Sequence, residues 1–202
     1  MNKICLYGAS GHGKVVKETV ESCRLDLIAF LDDNPKVDFI DSIPVVHSKN
    51  IKAYEQYKLI ISIGDNLIRK VLAEKMEVKF GTAIHPKSLV SKNSEIETGT
   101  VVMAGAIIHT DTRVGKHVII NTSTVLEHDC LIEDYVHISP NATVTGNVSI
   151  GEGTHIGTAA TIVPNIKIGK WVTVGAGAVI LKDVPDYAVV VGNPGKIIKF
   201  KK

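Results

Sequence analysis

The sequence predicts a small parallel α/β unit followed by an all-β parallel β-helix, on three observations. From Ile84 to Ile180 every sixth residue is Ile, Val or Leu without a break, seventeen positions in all. Residues 1–82 instead alternate strand and helix patterns. A glycine-rich loop, GASGHG at 8–13, joins the first strand pattern to the first helix pattern.

In the N-terminal unit, KICLYG reads as a strand entering the loop, KVVKETVESC as a helix, and LDLIAFL as a second strand ending at Asp32 and Asp33. A helix is expected near KNIKAYEQY, then the strand KLIISIG, then a helix from Asn66 through NLIRKVLAEK. Such alternation builds a parallel sheet covered by helices. A unit spanning 1–82 is enough for a Rossmann-like half domain, so one nucleotide is its natural cargo.

Residues 83–202 form the second domain. Four residues after each large aliphatic comes a small or β-branched one, from Ser88, Ser94, Thr100, Ala106 and Thr112 on to Ala178, with Ile166 the bulky member. A period of six is that of neither a helix nor a flat strand, and hexapeptide repeats mark the parallel β-helix. Each short strand is expected to send one large and one small side chain inward, then turn, so that successive coils stack into one column. Each buried aliphatic contributes about 1.5–3 kcal/mol gross, most of it offset by chain entropy. Gly99, Gly115, Gly146, Gly151, Gly169 and Gly175 are expected at corners needing positive φ. After Ile180, Pro185 and the VGNPG turn at 191–195 leave the repeat and should cap or exit the coil.

Twenty-three basic and 21 acidic side chains give a net charge of +2, and no basic patch is interleaved with aromatics, which argues against a nucleic-acid partner. The basic tail KIIKFKK at 196–202 reads as a solvated end. Cys5, Cys23 and Cys130 are odd in number and widely spaced, which suits a reducing cytoplasm and not a disulfide framework. KICLY runs straight into the glycine turn with no signal-peptide core, and no apolar run approaches membrane-spanning length, so no membrane association is expected.

Five stretches carry a resemblance: YGASGHG at 7–13, LDD at 31–33, IGDN at 63–66, EHDC at 127–130 and VGNPGK at 191–196. On these the chain resembles the hexapeptide-repeat acyltransferases, and in particular the bacterial nucleotide-amino-sugar N-acetyltransferases of bacillosamine and perosamine biosynthesis, with the sialic acid O-acetyltransferases as cousins. The resemblance implies a left-handed parallel β-helix with three strands per coil of 18 residues, and a homotrimer with active sites between neighbouring helices. It implies acetyl-CoA as acyl donor and a nucleotide-linked amino sugar as acceptor, most naturally a 4-amino-4,6-dideoxy sugar destined for surface glycans.

Residue by residue, the resemblance makes His128 the general base and Asp129 the acid that follows it. A histidine suits the task because an imidazole with a pKa of about 6.5 is a neutral proton acceptor at cytoplasmic pH, and a carboxylate can orient it. Glu127 competes as orienter, but it lies 18 residues from His109, so a stacked ion pair between coils could engage it instead. His137 and His155 are also 18 apart and should stack at roughly the 4.8 Å strand spacing. The resemblance places His137, Thr158 and Ala176 against acetyl-CoA, Ala176 by backbone only. It places Ser10, Gly11, His12, Asp32, Asp33 and Gly64 against the nucleotide sugar. No metal is expected: zinc wants three protein ligands and an open position, and the H-x₄-H spacing of the γ-class carbonic anhydrases, which share this helix, is absent. Cys130 occupies an inward position and reads as core. A nicotinamide-dependent oxidoreductase, a sialic acid O-acetyltransferase and a noncatalytic β-helix scaffold are the rival readings; the first leaves the repeat unexplained and the last leaves Glu127, His128 and Asp129 unexplained.

Overall fold

The structure is a computed structural model that describes residues 3–201; the start of the 1–82 unit and Lys202 of the basic tail lie outside the described residues. The N-terminal unit runs β1 (Lys3–Tyr7), α1 (Gly11–Ser22), β2 (Asp26–Asp32), β3 (Phe39–Ile40), β4 (Ile43–His47), a 3-10 segment (Ser48–Tyr54), β5 (Lys58–Ile61) and α2 (Asn66–Lys75). Its sheet has the order β3-β4-β2-β1-β5 and is parallel except for the β3–β4 hairpin, which the sequence reading did not foresee. The order reverses at β1 and β5, so the loops after those two strands, at Gly8–Gly13 and Gly64, flank the switch point where such sheets bind ligands. The helix expected near KNIKAYEQY is instead the short 3-10 segment, whose Ile51 and Tyr54 pack against the sheet's core. Seven residues complete too few turns to form a cooperative α-helix.

Among the described residues, seventeen two-residue strands follow, from β6 (Ala83–Ile84) to β22 (Val179–Ile180). Apart from the last three, each pairs in parallel with the strand 18 residues on, as in Ile107↔Val125, Leu131↔Ser149 and His137↔His155, so three strands complete a coil. The second residue of each strand points inward: Leu126, Ile138, Val144, Ile150, Ile156 and Ile162 are completely buried. The small inward positions carry a second device. Buried Thr100, Thr112 and Thr154 each donate a hydroxyl to the carbonyl fifteen residues later, at 2.7 Å, so polar groups in the column are satisfied. Ile84, Val90 and Ile96 depart from the pattern: Ile84 is 39% exposed and the other two are only partly buried, because the first coil has no coil beneath it. At the far end β23 (Ala188–Val191) extends the sheet that begins with Ala83–Ile84, and β24 (Lys196–Phe200) folds back on it antiparallel, so the tail does leave the repeat.

The glycine expectation is corrected. Of the six glycines named, only Gly99 has positive φ (79°); left-handed corners fall instead at residues such as Asp111, Ser123, Asp129, Asn141 and Trp171. Gly115, Gly146, Gly151, Gly169 and Gly175 are needed for room. A Cβ at Gly151, for example, would sit 2.6 Å from the Gly169 carbonyl carbon of the next coil.

The α/β unit packs against the sheet that holds the first strand of each coil: Ile4, Leu6, Val16 and Phe30 share a core with Ala83, Val101, Met103 and Ile119. The first turn of α2 locks the contact. Asn66 donates to the carbonyls of Gly153 and Thr154, and Lys70 lies over the rings of Tyr135 and Trp171 and against Glu152. Among the described residues no helix is long and apolar enough to cross a membrane.

Candidate active site

His128 sits two residues after the strand Val125–Leu126, at a corner between the second and third strands of a coil. Asp129 turns that corner in the left-handed region, with φ 60°. The turn brings its Oδ2 to 2.7 Å from His128 Nδ1, with both side chains more than half exposed. A carboxylate can only accept, so Nδ1 carries a proton, and in the neutral ring Nε2 keeps its lone pair. The rival orienter points elsewhere: Glu127 Oε1 faces His109 Nε2 at 3.8 Å, the 18-residue stack between coils. The His128 ring lies over Gly146 of the next coil, which leaves no space for a Cβ there. Cys130 is buried, its thiol pushed up by that burial.

A second group gathers on the sheet that carries the α/β unit. His137 and His155 stack with ring centroids 4.8 Å apart and planes 10° from parallel. His12, from the glycine loop, reaches to 6.1 Å from His137. His137 Nε2 meets Asn121 Nδ2 at 3.1 Å, its Nδ1 faces the Gly64 carbonyl at 3.4 Å, and His155 Nε2 meets Ser139 Oγ at 2.8 Å. Burial is the main force that drives His12 down to about 4 and His137 down to about 3, so both rings are neutral at neutral pH. Thr158 and Ala176 are exposed on adjacent coils at the corner that ends this sheet.

The glycine loop opens α1 with its polar groups available. Ser10 is the N-cap yet makes no side-chain cap bond, Gly11 borders open space, and Gly13 is fixed because a Cβ would meet the Gly8 carbonyl oxygen at 2.3 Å. Unpaired N–H groups at a helix start favour anions. Beside them a cleft of about 500 Å³ is lined by Ala9, Ser10, Gly11, Lys14, Lys36 and Phe39, among others. Asp32 braces the loop, accepting from Ala9 N–H and Asn34 N–H, both at 2.8 Å. Asp33 uses Oδ1 to accept the hydroxyls of Ser48 and Tyr7, which hold its carboxyl below the usual range. Gly64 borders open space at the end of the neighbouring strand.

The predicted residues therefore fall into two groups. Ser10, Gly11, His12, Gly64 and His137 meet where the α/β unit docks. His128 and Asp129 stand at another corner, across the middle sheet, the one that holds Leu89, Ile107 and Val125, from Thr158 and Ala176, and one chain does not bring them together. Sequence reasoning missed Asn121, Ser139, Asn66, Arg69 and the packing role of Gly146. The six-residue register could have found Gly146, which follows His128 by 18; nothing in the pattern marks Arg69. Among the described residues no group of three or more metal-binding side chains is close enough to hold an ion.

Residues 3–76 match the PglD N-terminal domain, and 111–146 and 147–182 match the bacterial transferase hexapeptide model of six repeats. UDP-N-acetylbacillosamine N-acetyltransferase of Bacillus subtilis (strain 168) is 42% identical over 104 residues, 46% of this chain; the match spans about half of that protein, 48% of its length. Perosamine N-acetyltransferase from Caulobacter crescentus, solved with CoA and GDP-perosamine, superposes with a TM-score of 0.93 at 33% identity, covering 98% of this chain and 97% of that one. The acetyltransferase domain of PglB from Neisseria gonorrhoeae, also solved with acetyl coenzyme A, gives 0.92 at 37% identity over 98% of this chain. With both parts of the chain matched in order and two such structures covered almost end to end, the chain belongs to the left-handed β-helix, hexapeptide-repeat family of nucleotide-amino-sugar N-acetyltransferases.

Proposed function

We propose that this protein transfers the acetyl group of acetyl-CoA to the amine of a nucleotide-linked amino sugar, a 4-amino-4,6-dideoxy sugar used in surface glycans. The observation that carries the reading is the His128–Asp129 pair at 2.7 Å with Nε2 left open. The amine lone pair attacks the thioester carbonyl and a C–N bond forms. His128 Nε2 takes the proton the nitrogen must lose, and Asp129 stabilises the imidazolium. The C–S bond then breaks, and His128 returns the proton to the leaving thiolate. No acetyl-enzyme is needed, which suits a buried Cys130.

In this reading 1–82 is the nucleotide-sugar domain and 83–202 the acyltransferase domain. The α1 start, with Ser10 and Gly11, takes the diphosphate; His12, Asp32, Asp33 and Gly64 contact the rest of the nucleotide sugar. His137, Thr158 and Ala176 line the acetyl-CoA groove. The active protein is a homotrimer in the cytoplasm, where acetyl-CoA is made and used. The separation of His128 from the His137 group supports the trimer: a second copy is required to place an acyl donor against the base. The middle sheet between them offers an outward column of Leu89, Ile107, Val125, Thr143, Thr161 and Val179, with Leu89 68% exposed, as the face to be covered.

The test is thiol release from acetyl-CoA against UDP-, GDP- and dTDP-linked 4-amino sugars and free sialic acid. One amino sugar should support turnover, and His128→Ala should lower it by about 10²- to 10⁴-fold. Absence of thiol release with every acceptor would return Glu127, His128 and Asp129 to a charged corner of a scaffold.

A further inference from the structure

Arg69 lies in the first turns of α2, 1% exposed, and its hydrogen-bond partners are neutral oxygens. Nε donates to the His117 carbonyl at 2.8 Å; one terminal nitrogen donates to the carbonyls of Ile63 (2.9 Å) and Gly64 (3.3 Å); the other donates to Asn66 Oδ1 and the Tyr135 carbonyl, both at 2.8 Å. The guanidinium fork thus ties the loop after β5 to two corners of the coil. Burial pushes it down to about 9, so it remains a cation at neutral pH.

Hydrogen-bond polarity passes from this clamp to His137. Asn121 Oδ1 accepts Thr122 N–H at 2.8 Å, which turns Nδ2 toward His137 Nε2 at 3.1 Å. An amide NH₂ only donates, so Nε2 must be the unprotonated nitrogen. The remaining proton is then on Nδ1, facing the Gly64 carbonyl at 3.4 Å, an oxygen that Arg69 also holds. Both ends of the relay demand the same tautomer.

We propose that Arg69 is a positioning residue for the acyl-donor site: by fixing the Gly64 carbonyl it holds His137 as the Nδ1–H tautomer, in its stack on His155, and so sets affinity for acetyl-CoA. The inference rests on the acetyltransferase reading above, with His137 against acetyl-CoA. It gives a residue of the nucleotide-sugar unit control over the other substrate's site, through a carbonyl and without touching that substrate.

The test combines ¹⁵N NMR of the His137 ring, identified by its loss in His137→Gln, with steady-state kinetics of Arg69→Lys and Asn121→Asp in the full chain. In the wild type Nε2 should show the shift of an unprotonated nitrogen. Asn121→Asp, which replaces the donor by an acceptor, should move the proton to Nε2. Arg69→Lys keeps the charge but loses the fork, and should raise the acetyl-CoA KM about tenfold with kcat changed less than about threefold. A protonated Nε2 in the wild type overturns the proposal, as does a folded Arg69→Lys with unchanged tautomer and KM. If Arg69→Lys does not fold, Asn121→Asp decides: a moved proton with an unchanged acetyl-CoA KM also overturns it. A wild type that releases no thiol yet shows the Nδ1–H tautomer sinks the acetyltransferase reading and leaves the relay intact.

Discussion

Gly146 lies one coil on from His128, and a Cβ added to it would fall 2.6 Å from the imidazole Cε1 and 2.7 Å from Nε2. The nitrogen proposed to take the proton is therefore aimed by the absence of a side chain eighteen residues away. Gly146→Ala must push the ring aside, and because misplacement by about 1 Å can cost on the order of 10²-fold, kcat should fall at least tenfold. The thermal midpoint should change little, since the displaced ring is exposed. A Gly146→Ala enzyme with wild-type kcat would show that the ring's position over Gly146 is not the working one.

The choice of orienter for His128 is a second expectation. Asp129→Asn keeps an oxygen near Nδ1 but removes the charge that stabilises the imidazolium, so kcat should fall by roughly one to two decades, less than for His128→Ala. Glu127→Gln should leave kcat within about threefold, because Glu127 faces His109 across an exposed pair of little energetic weight. Initial rates at saturating substrates compare the two; the opposite ranking would make Glu127 the partner.

Stability should depend on pH through the buried histidines. His12 and His117 are pushed down to about 4 and His137 to about 3, chiefly by burial, with the Arg69 cation adding to it. In the unfolded chain these rings take up protons near pH 6.5, while in the fold they stay neutral, so the unfolded state binds more protons between. Their contribution is fully present above about pH 6.5 and is lost as pH falls toward 4. The thermal midpoint should drop across that window. His117→Phe, which keeps a ring between Phe80 and Tyr135, should flatten part of the slope; an equal slope in the variant would remove His117 from the account.

The column should be least tolerant in its interior. Ile150 is completely buried and Ile84 is 39% exposed, although they hold the same position in the repeat. Ile150→Ala should cost about 2–5 kcal/mol, whereas Ile84→Ala should cost less than about 1 kcal/mol. Denaturant unfolding of both variants measures the difference. Equal costs would mean that the coil end is covered in solution.

What the sequence determined by itself is the period of six, and with it the aliphatic column. The resemblance added three strands per coil, which puts residues 18 apart in contact, so the His137–His155 stack and the His109–Glu127 pair could be placed without coordinates. The proposed base and substrate class rest on short motifs matched to a family. The tertiary structure alone decided the contacts that no period relates. Asn66 bonds a carbonyl 87 residues away and Arg69 one 48 away, because the α/β unit packs at one height on one face of the coil, a choice set by shape. The same holds for Asp32, whose Oδ2 meets the glycine loop only because β1 and β2 lie side by side. The corner glycines make the point most directly: composition located them, but close approach between coils, and not positive φ, is what requires Gly146 and Gly151. A local pattern fixes neighbours along a repeat, and burial of two independent surfaces against each other fixes the rest.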